Sequence, residues 1–280
     1  MSYKRLLRSI GLLAGLAVSG AVFASPINVL WYTGGTEASG PGTYEANINT
    51  LAAANGWTVT FWTGGSMPSG SYNVLVIASP EGGWSSYPNY SALTSSLGSI
   101  TFGNREMLTG QDADWHYQNY PGPANFDGPK GFLSDSINWA GNGTGMGLVA
   151  LGMDGLGICY GGPALGLPGY SADCQETNNV QIPASVAGYP INTGLTSAGL
   201  SNWNTASHIS FWNLDPSDWV GINVNGDDDC GGAPATCYVT IISAGTASGG
   251  IGVPEPADLG VFGLGLLLVG AFVGLRRRVA

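Results

Sequence analysis

The feature that most constrains the fold is a short run without a polar side chain, Val74 to Ala78. A strand with one face in water alternates apolar and polar residues. An all-apolar run therefore fits the interior of a parallel sheet that is covered on both faces. Similar apolar segments recur along the chain and alternate with helical patterns.

The predicted strands are Ile27–Tyr32, Trp57–Trp62, Val74–Ala78, Arg105–Thr109, Gly147–Leu151 and Cys237–Ser243, and the predicted helices are Tyr44–Ala54, Tyr90–Leu97 and Lys130–Ala140. Strand, helix and strand in alternation predict right-handed crossovers and a three-layer α/β fold. From Gly152 onward the pattern is irregular, with long Gly/Pro-rich loops and one final strand.

Residues 1–24 have the pattern of a secretory signal peptide. A positive start at Lys4, Arg5 and Arg8 precedes an apolar stretch, and small residues before position 25 suit cleavage after Ala24. The alternative is an uncleaved N-terminal anchor, which the short, Gly-rich apolar stretch disfavours. The mature chain is then expected to begin at Ser25.

The C-terminal end, residues 253–280, combines three features in a fixed order. Pro254, Glu255 and Pro256 come first, the apolar run 259–275 follows, and Arg276, Arg277 and Arg278 come last. At about 1.5 Å per residue a helix over this run spans roughly 25 Å, and arginine side chains that reach the interface can make up the remaining membrane thickness. The arginines also predict that this end stays in the cytoplasm, with the body outside.

This order resembles the PEP-CTERM sorting signal, in which the tripeptide is recognised by an exosortase. The resemblance implies an exported protein that is anchored in the inner membrane with a periplasmic body, and then passed to the cell surface or the extracellular matrix. Signal peptidase and exosortase are the implied processing partners. An ordinary C-terminal membrane anchor is the alternative. The body, residues 25–252, is long enough for one large domain.

The body is strongly acidic once the two ends are set aside. Between Ser25 and Gly252 only Arg105 and Lys130 are basic, against 16 acidic residues, which gives a net charge of −14. Such a surface repels phosphate backbones, so nucleic-acid binding is excluded as a function. Divalent cations and neutral or cationic partners, including an extracellular polysaccharide, stay open.

The body contains four cysteines: Cys159, Cys174, Cys230 and Cys237. An even number in an exported chain predicts two disulfides, and proximity favours Cys159–Cys174 and Cys230–Cys237. A tetrahedral zinc site is the alternative, although no Cys-x-x-Cys pair is present.

The first strands and helix, Val29–Tyr32, the helix from Tyr44, Trp57–Thr60 and Val74–Ala78, resemble the class I glutamine-amidotransferase-like superfamily and its ThuA-like branch. The segment Tyr189–Leu195 resembles a ThuA-like "HPIT-x-GL" motif, with Tyr189 in place of the histidine. The resemblance implies a flavodoxin-like parallel sheet.

The catalytic residues of that superfamily are not carried over. Its nucleophilic cysteine would fall in the stretch after Val74–Ala78, where Ser79 is followed by Pro80 and no cysteine is present. Ser79 is a candidate substitute nucleophile with His116 or His208 as the base. The alternative is a strand-end serine without a catalytic role.

The densest polar cluster, residues 109–116, follows a predicted strand, where ligands gather in open α/β sheets. Asp112, Asp114 and His116 alternate, so in an extended segment all three would face one divalent cation. An ordinary solvated turn is the alternative. His208 either closes over the strand ends to meet His116 or is a core histidine. The acidic run 223–229 superficially resembles a calcium loop but lacks the distal glutamate of an EF-hand.

Two functions follow from these observations. The first is a non-catalytic binding or structural component of the envelope or exopolysaccharide matrix. The second is a metal-dependent or serine-based hydrolase that acts through Asp112, Asp114, His116 and His208. The enzyme hypothesis requires these four side chains to converge.

Overall fold

The computed structural model describes residues 26–35, 43–80, 88–119, 123–201, 203–227, 230 and 236–246. All of them belong to one compact unit, Pro26–Ile251. The predicted signal peptide (1–24) and sorting segment (253–280), with the transmembrane helix expected at 259–275, lie outside the described residues. Within the part that is described, no helix is both long and apolar enough to span a bilayer.

The described residues form a mixed α/β fold around a central, largely parallel sheet. Its strands are β1 (Asn28–Tyr32), β2 (Thr58–Trp62), β3 (Val74–Ile77), β4 (Phe102–Thr109), β5 (Met146–Ala150), β6 (Ser171–Asp173), β7 (Val180–Gln181), β8 (Ser210–Trp212), β9 (Trp219–Asn225) and β10 (Tyr238–Ser243). The helices are α1 (Thr43–Asn55), α2 (Ser91–Ser96), α3 (Ala113–Asn119), α4 (Pro123–Gly141) and α5 (Ser197–Leu200).

The parallel part of the sheet has the strand order β2-β1-β3-β5-β4. A flavodoxin sheet has the order 2-1-3-4-5. Here β5 lies between β3 and β4, so the expected flavodoxin-like order holds only for the first three strands.

The sheet is covered on both faces, as the apolar run in β3 predicts. Val74 and Val76 belong to one hydrophobic core, and Leu75 and Ile77 belong to the other. Helices α1 and α4 pack against the first face, while α2 and the loop after β5 pack against the second. All four β3 side chains are fully buried.

The region predicted to be irregular adds three short strands, β6 to β8, and the longer strand β9. The final strand, β10, was predicted, and it runs antiparallel to β4 with Ile241 opposite Leu108. It also pairs with β8 and β9, which in turn pair with β6 and β7. Because β10 runs against β4, Ser243 lies near the start of β4, where its hydroxyl donates to Asn104 O at 3.0 Å.

Helix α4 begins at Pro123 rather than at the predicted Lys130. Gly128 and Pro129 have low helix propensity, yet both lie inside the helix. Gly128 has a packing reason, since a β-carbon there would lie 1.8 Å from Gly199 O of α5. The close approach of these two helices therefore overrides the weak local propensity.

Both predicted disulfides are present. Cys159 is bonded to Cys174 and Cys230 to Cys237, each with a Cα–Cα distance of 5.5 Å. All four sulfurs are thereby used, so the alternative of a four-cysteine zinc site is wrong. The first bridge ties the loop after β5 to the segment after β6.

Candidate metal centre at the strand ends

Three of the predicted site residues meet beyond the carboxyl end of β4. Asp112, His116 and His208 are all buried, and one ligand atom from each lies within 4.8 Å of the other two. One carboxylate and two imidazoles in this arrangement form a group that could hold a metal ion.

The segment after β4 is helical, which corrects the prediction of an extended stretch. Asp112 directly precedes α3 and His116 lies one helical turn further along, so these two side chains come together whereas Asp114 is directed elsewhere. The His116 backbone N–H donates to Asp112 O at 3.1 Å. His116 Nε2 lies 3.1 Å from Asp112 Oδ1. The alternative of a solvated turn is also wrong, because both aspartates are fully buried.

His208 reaches this pair from the chain just before β8. Its backbone N–H donates to Gly110 O at 2.9 Å. Glycine permits that contact, since a β-carbon at position 110 would lie 2.4 Å from Ile209 O. His208 Nε2 then lies 3.6 Å from Asp112 Oδ2. His116 and His208 are thus brought together as expected, with the Asp112 carboxylate lying between their rings.

The charge of Asp112 is favoured by its two neighbours. Burial alone would raise the pKa of Asp112, but hydrogen bonds and charge attraction from His116 and His208 outweigh burial and leave that pKa below its ordinary value. His116 Nε2 also lies 2.9 Å from the Thr205 carbonyl oxygen. A proton on His116 Nε2 therefore has two acceptors nearby, Asp112 Oδ1 and the Thr205 carbonyl oxygen. A metal ion that bound His116 through Nε2 would take the place of this proton.

Two residues that sequence reasoning missed lie on the outer side of His208. Glu176 Oε1 is 3.6 Å from His208 Nδ1, and the Glu176 side chain is 62% exposed. The Tyr160 ring packs edge-on against the His208 ring with centroids 5.5 Å apart, and its hydroxyl lies 3.3 Å from Glu176 Oε1. The disulfide was the available signal, because Tyr160 adjoins Cys159 and Glu176 follows Cys174 closely.

Asp114 belongs to a separate polar group and not to the metal-binding face. Its Oδ2 accepts a hydrogen bond from the Tyr44 hydroxyl at 2.8 Å and another from Ser79 N at 3.0 Å. The Tyr44 oxygen in turn accepts from Trp31 Nε1 at 3.0 Å. Burial raises the pKa of Asp114 to about 6, with these hydrogen bonds opposing part of the rise. Asp114 therefore fixes the chain after β3 and is not one of the metal ligands.

Ser79 lies at the end of β3 and is fully buried. Its hydroxyl makes no well-formed hydrogen bond among the described residues, although it is close enough to Asp114 to lower the pKa of that carboxyl. Gly152, at the end of β5, packs between the two strand ends: a β-carbon there would lie 2.7 Å from Ser79 Cβ and 3.2 Å from Asp112 Cβ. Ser79 is thus near the centre without being joined to a histidine.

The loop after β5 is held by a buried carboxylate, Asp154. Its Oδ1 accepts from the backbone N–H groups of Leu156 (2.7 Å) and Gly157 (2.8 Å). Its Oδ2 accepts from those of Ile158 (2.8 Å) and Cys159 (2.5 Å). This loop leads directly to Tyr160, so Asp154 positions the ring that covers His208.

A cleft of about 320 Å³ lies beside this loop. It is lined by Pro88, Tyr90, Tyr160 and Gly161. Tyr90 immediately precedes α2, and its hydroxyl donates to Ala78 O at 2.8 Å, at the end of β3. The cleft therefore adjoins the metal centre through Tyr160.

The acidic run 223–229 does not assemble a calcium loop in its described part. Asp227 Oδ2 accepts from the Thr177 hydroxyl at 2.6 Å, and Asp227 Oδ1 accepts from Asn179 Nδ2 at 3.1 Å. Its carboxylate is thus used to join two loops. Asp228 and Asp229 lie outside the described residues.

Searches with the whole chain against protein-family models, curated proteins and solved structures found no match in any of the three.

Proposed function

We propose that the protein is an exported α/β hydrolase that binds one zinc ion through Asp112, His116 and His208. Asp114, the fourth residue that the enzyme hypothesis required, does not join this group, so the proposal is carried by the other three ligands, which are buried within 4.8 Å of one another. Three protein ligands leave a fourth tetrahedral position for water, as in catalytic zinc sites. Bound zinc would lower the pKa of that water to about 7 and so supply hydroxide at neutral pH.

The donor set favours zinc over other divalent cations. Calcium and magnesium prefer oxygen ligands, whereas two of the three donors here are imidazole nitrogens. Two histidines and one carboxylate also suit ferrous iron. The two disulfides fit an oxidising compartment, in which a metal without redox chemistry is the more suitable choice.

The groups around the ligands suit metal binding. Glu176 Oε1 lies 3.6 Å from Nδ1 of His208, too far for a hydrogen bond, while Nε2 of the same ring is directed towards Asp112. A carboxylate hydrogen-bonded to the second nitrogen of a metal-binding histidine fixes its tautomer and ring orientation, and a small shift of the exposed Glu176 side chain would supply that contact. The lowered pKa of Asp112 keeps its carboxylate ionised, as a metal ligand must be. A serine-based mechanism has less support, because Ser79 has no hydrogen bond to either histidine.

Export and surface sorting are part of the proposal. The support comes from the signal-peptide pattern, the PEP-CTERM-like end at Pro254, Glu255, Pro256 and Arg276–Arg278, and the two disulfides. Signal peptidase and an exosortase would process the chain. The body would be periplasmic while 259–275 holds it in the inner membrane, and would then reach the cell surface or the matrix.

A non-catalytic role in the envelope or exopolysaccharide matrix is the second candidate. The burial of all three ligands favours it, because water and substrate have little access to a metal ion held there. The two candidates differ in whether the metal has an open coordination position.

Metal analysis of the full-length protein tests the proposal. We expect one zinc ion per chain after dialysis, its loss in Asp112→Ala and His116→Ala, and its retention in Asp215→Asn, which changes an exposed carboxylate. A wild-type protein that takes up no zinc would contradict the proposal, and preferential uptake of iron would replace zinc in it. In the cobalt-substituted protein, a visible spectrum that changes on adding a hydroxamate indicates an open position and supports the hydrolase. An unchanged spectrum supports the structural role.

A further inference from the structure

The cleft next to the metal centre has the size of a site for a small chemical group. Its volume of about 320 Å³ is at the lower end for small-molecule pockets. The described residues that line it are Pro88, Tyr90, Tyr160 and Gly161, none of which carries a charge. A compact group, rather than a length of polymer, fits this space.

Both tyrosines line the cleft, although Tyr90 is only 7% exposed and its ring stacks on Tyr32 with centroids 6.0 Å apart, so the cleft can use only the uncovered part of that ring. The Tyr90 hydroxyl is directed to Ala78 O at 2.8 Å, and the Tyr160 hydroxyl is directed to Glu176 Oε1 at 3.3 Å. With both hydroxyls turned to protein groups, the aromatic rings are the main contact surface. Tyrosine rings attract cations through the negative potential of their faces, and aromatic cages recognise quaternary ammonium groups in this way.

The charge around the cleft is negative. The Glu176 side chain is 62% exposed and lies beside Tyr160. The body has a net charge of −14 and only two basic residues. Arg105 donates to Trp139 O at 2.6 Å, and Lys130 belongs to α4, which packs on the sheet face opposite to that of Tyr90. This field favours a cation over an anion or a neutral ligand.

Tyr160 adopts a backbone conformation that suits glycine better. Its φ is +53°, which is uncommon for a residue with a bulky side chain. The neighbouring disulfide and the Asp154 hydrogen bonds hold it in place. Strained residues of this kind concentrate at functional sites. Glycine would adopt this backbone conformation without strain, so the presence of tyrosine at position 160 indicates a role for its ring.

We propose that this cleft binds an alkylammonium or quaternary ammonium group between the rings of Tyr90 and Tyr160, with the Glu176 carboxylate at the rim. The site goes beyond the zinc chemistry and does not depend on it. A substrate or partner with an exposed amine would be held beside His208.

The test compares choline with 3,3-dimethylbutan-1-ol, which has the same shape without the charge. Calorimetric titration of the full-length protein should show choline binding at least about tenfold more tightly than the alcohol, with an affinity that falls as salt is added. Tyr160→Gly should weaken choline binding by about tenfold or more while thermal unfolding stays cooperative, because glycine adopts the positive φ without strain and so offsets part of the lost ring packing. Tyr160→Phe keeps the ring and should retain binding.

Equal binding of choline and the alcohol, tighter binding of glucose than of choline, or no binding of choline would each overturn the proposal. So would a Tyr160→Gly protein that binds choline like the wild type. The titration is repeated with Asp112→Ala, which lacks a zinc ligand. Choline binding unchanged in that variant supports an independent site, so a failure of the zinc proposal and a failure of the cleft proposal are read separately.

Discussion

Replacing Asp154 with asparagine should strongly destabilise the protein. The carboxylate accepts four backbone N–H groups, two on each oxygen. Asparagine keeps one oxygen and two of these hydrogen bonds, but its NH₂ group would face the other two donors. Leaving a buried donor unsatisfied costs about 1–3 kcal/mol, so the two together should lower the free energy of unfolding by about 4 kcal/mol.

Urea unfolding at neutral pH, with the disulfides intact, measures this loss. The matched control is Asp173→Asn, because Asp173 accepts only one backbone N–H, that of Cys174, at 2.8 Å. The control should lower the free energy of unfolding by less than about 1 kcal/mol, as expected for a more exposed group.

The reasoning would be refuted by an Asp154→Asn protein as stable as the Asp173→Asn control. In that case the loop after β5 would be held by the disulfide and by apolar packing, and the carboxylate would be dispensable. Since this loop carries Tyr160, the destabilised variant should also bind choline more weakly.

Three further changes give distinct results. Burial raises the pKa of Asp114 to about 6, so the wild type should lose stability between about pH 4 and pH 6 as the carboxyl ionises. Asp114→Asn keeps the oxygen that accepts both hydrogen bonds. In urea unfolding this variant should be more stable than the wild type by roughly 3 kcal/mol at pH 7 and little changed at pH 4. Equal stability at pH 7 would contradict this. Gly152→Ala places a β-carbon 2.7 Å from Ser79 Cβ at a residue whose φ is +58°, and it should abolish zinc uptake. The control Gly188→Ala has open space around its β-carbon and should leave the metal content unchanged. A Gly152→Ala protein with normal zinc content would refute the packing argument. Replacing Cys159 and Cys174 together by alanine opens a loop with a sequence separation of 15 and should lower the free energy of unfolding by about 3 kcal/mol. Urea unfolding of the variant and the wild type measures this loss. An unchanged free energy of unfolding would mean that the loop is constrained without the disulfide.

The parallel half of the fold follows from the sequence because its strands are continuous apolar runs. The run in β3 indicated burial on both faces, and that is what the structure shows. The short strands β6 and β7 could not be predicted, since segments of three and two residues carry no period. They form only because β8 and β9 provide partners for them.

The residues of the site were predicted better than their geometry. Asp112, His116 and His208 were named from the sequence, but an extended segment would have made Asp114 the third member. The helix after β4 pairs Asp112 with His116 and excludes Asp114, and a pattern of alternating polar residues gives no sign of this. Glu176 and His208 lie in different loops and are far apart in the sequence, so their contact becomes visible only in the folded chain.

The antiparallel course of the last strand has a practical consequence for handling the molecule. Ser243 lies by Asn104, near the start of β4, while Asp112 follows that strand's other end. Asn28 likewise begins β1, whose parallel direction puts it on the same rim as the start of β4. A sensor chip or bead coupled next to Asn28 or Ser243 would therefore attach at the edge of the sheet opposite to the one that carries Asp112.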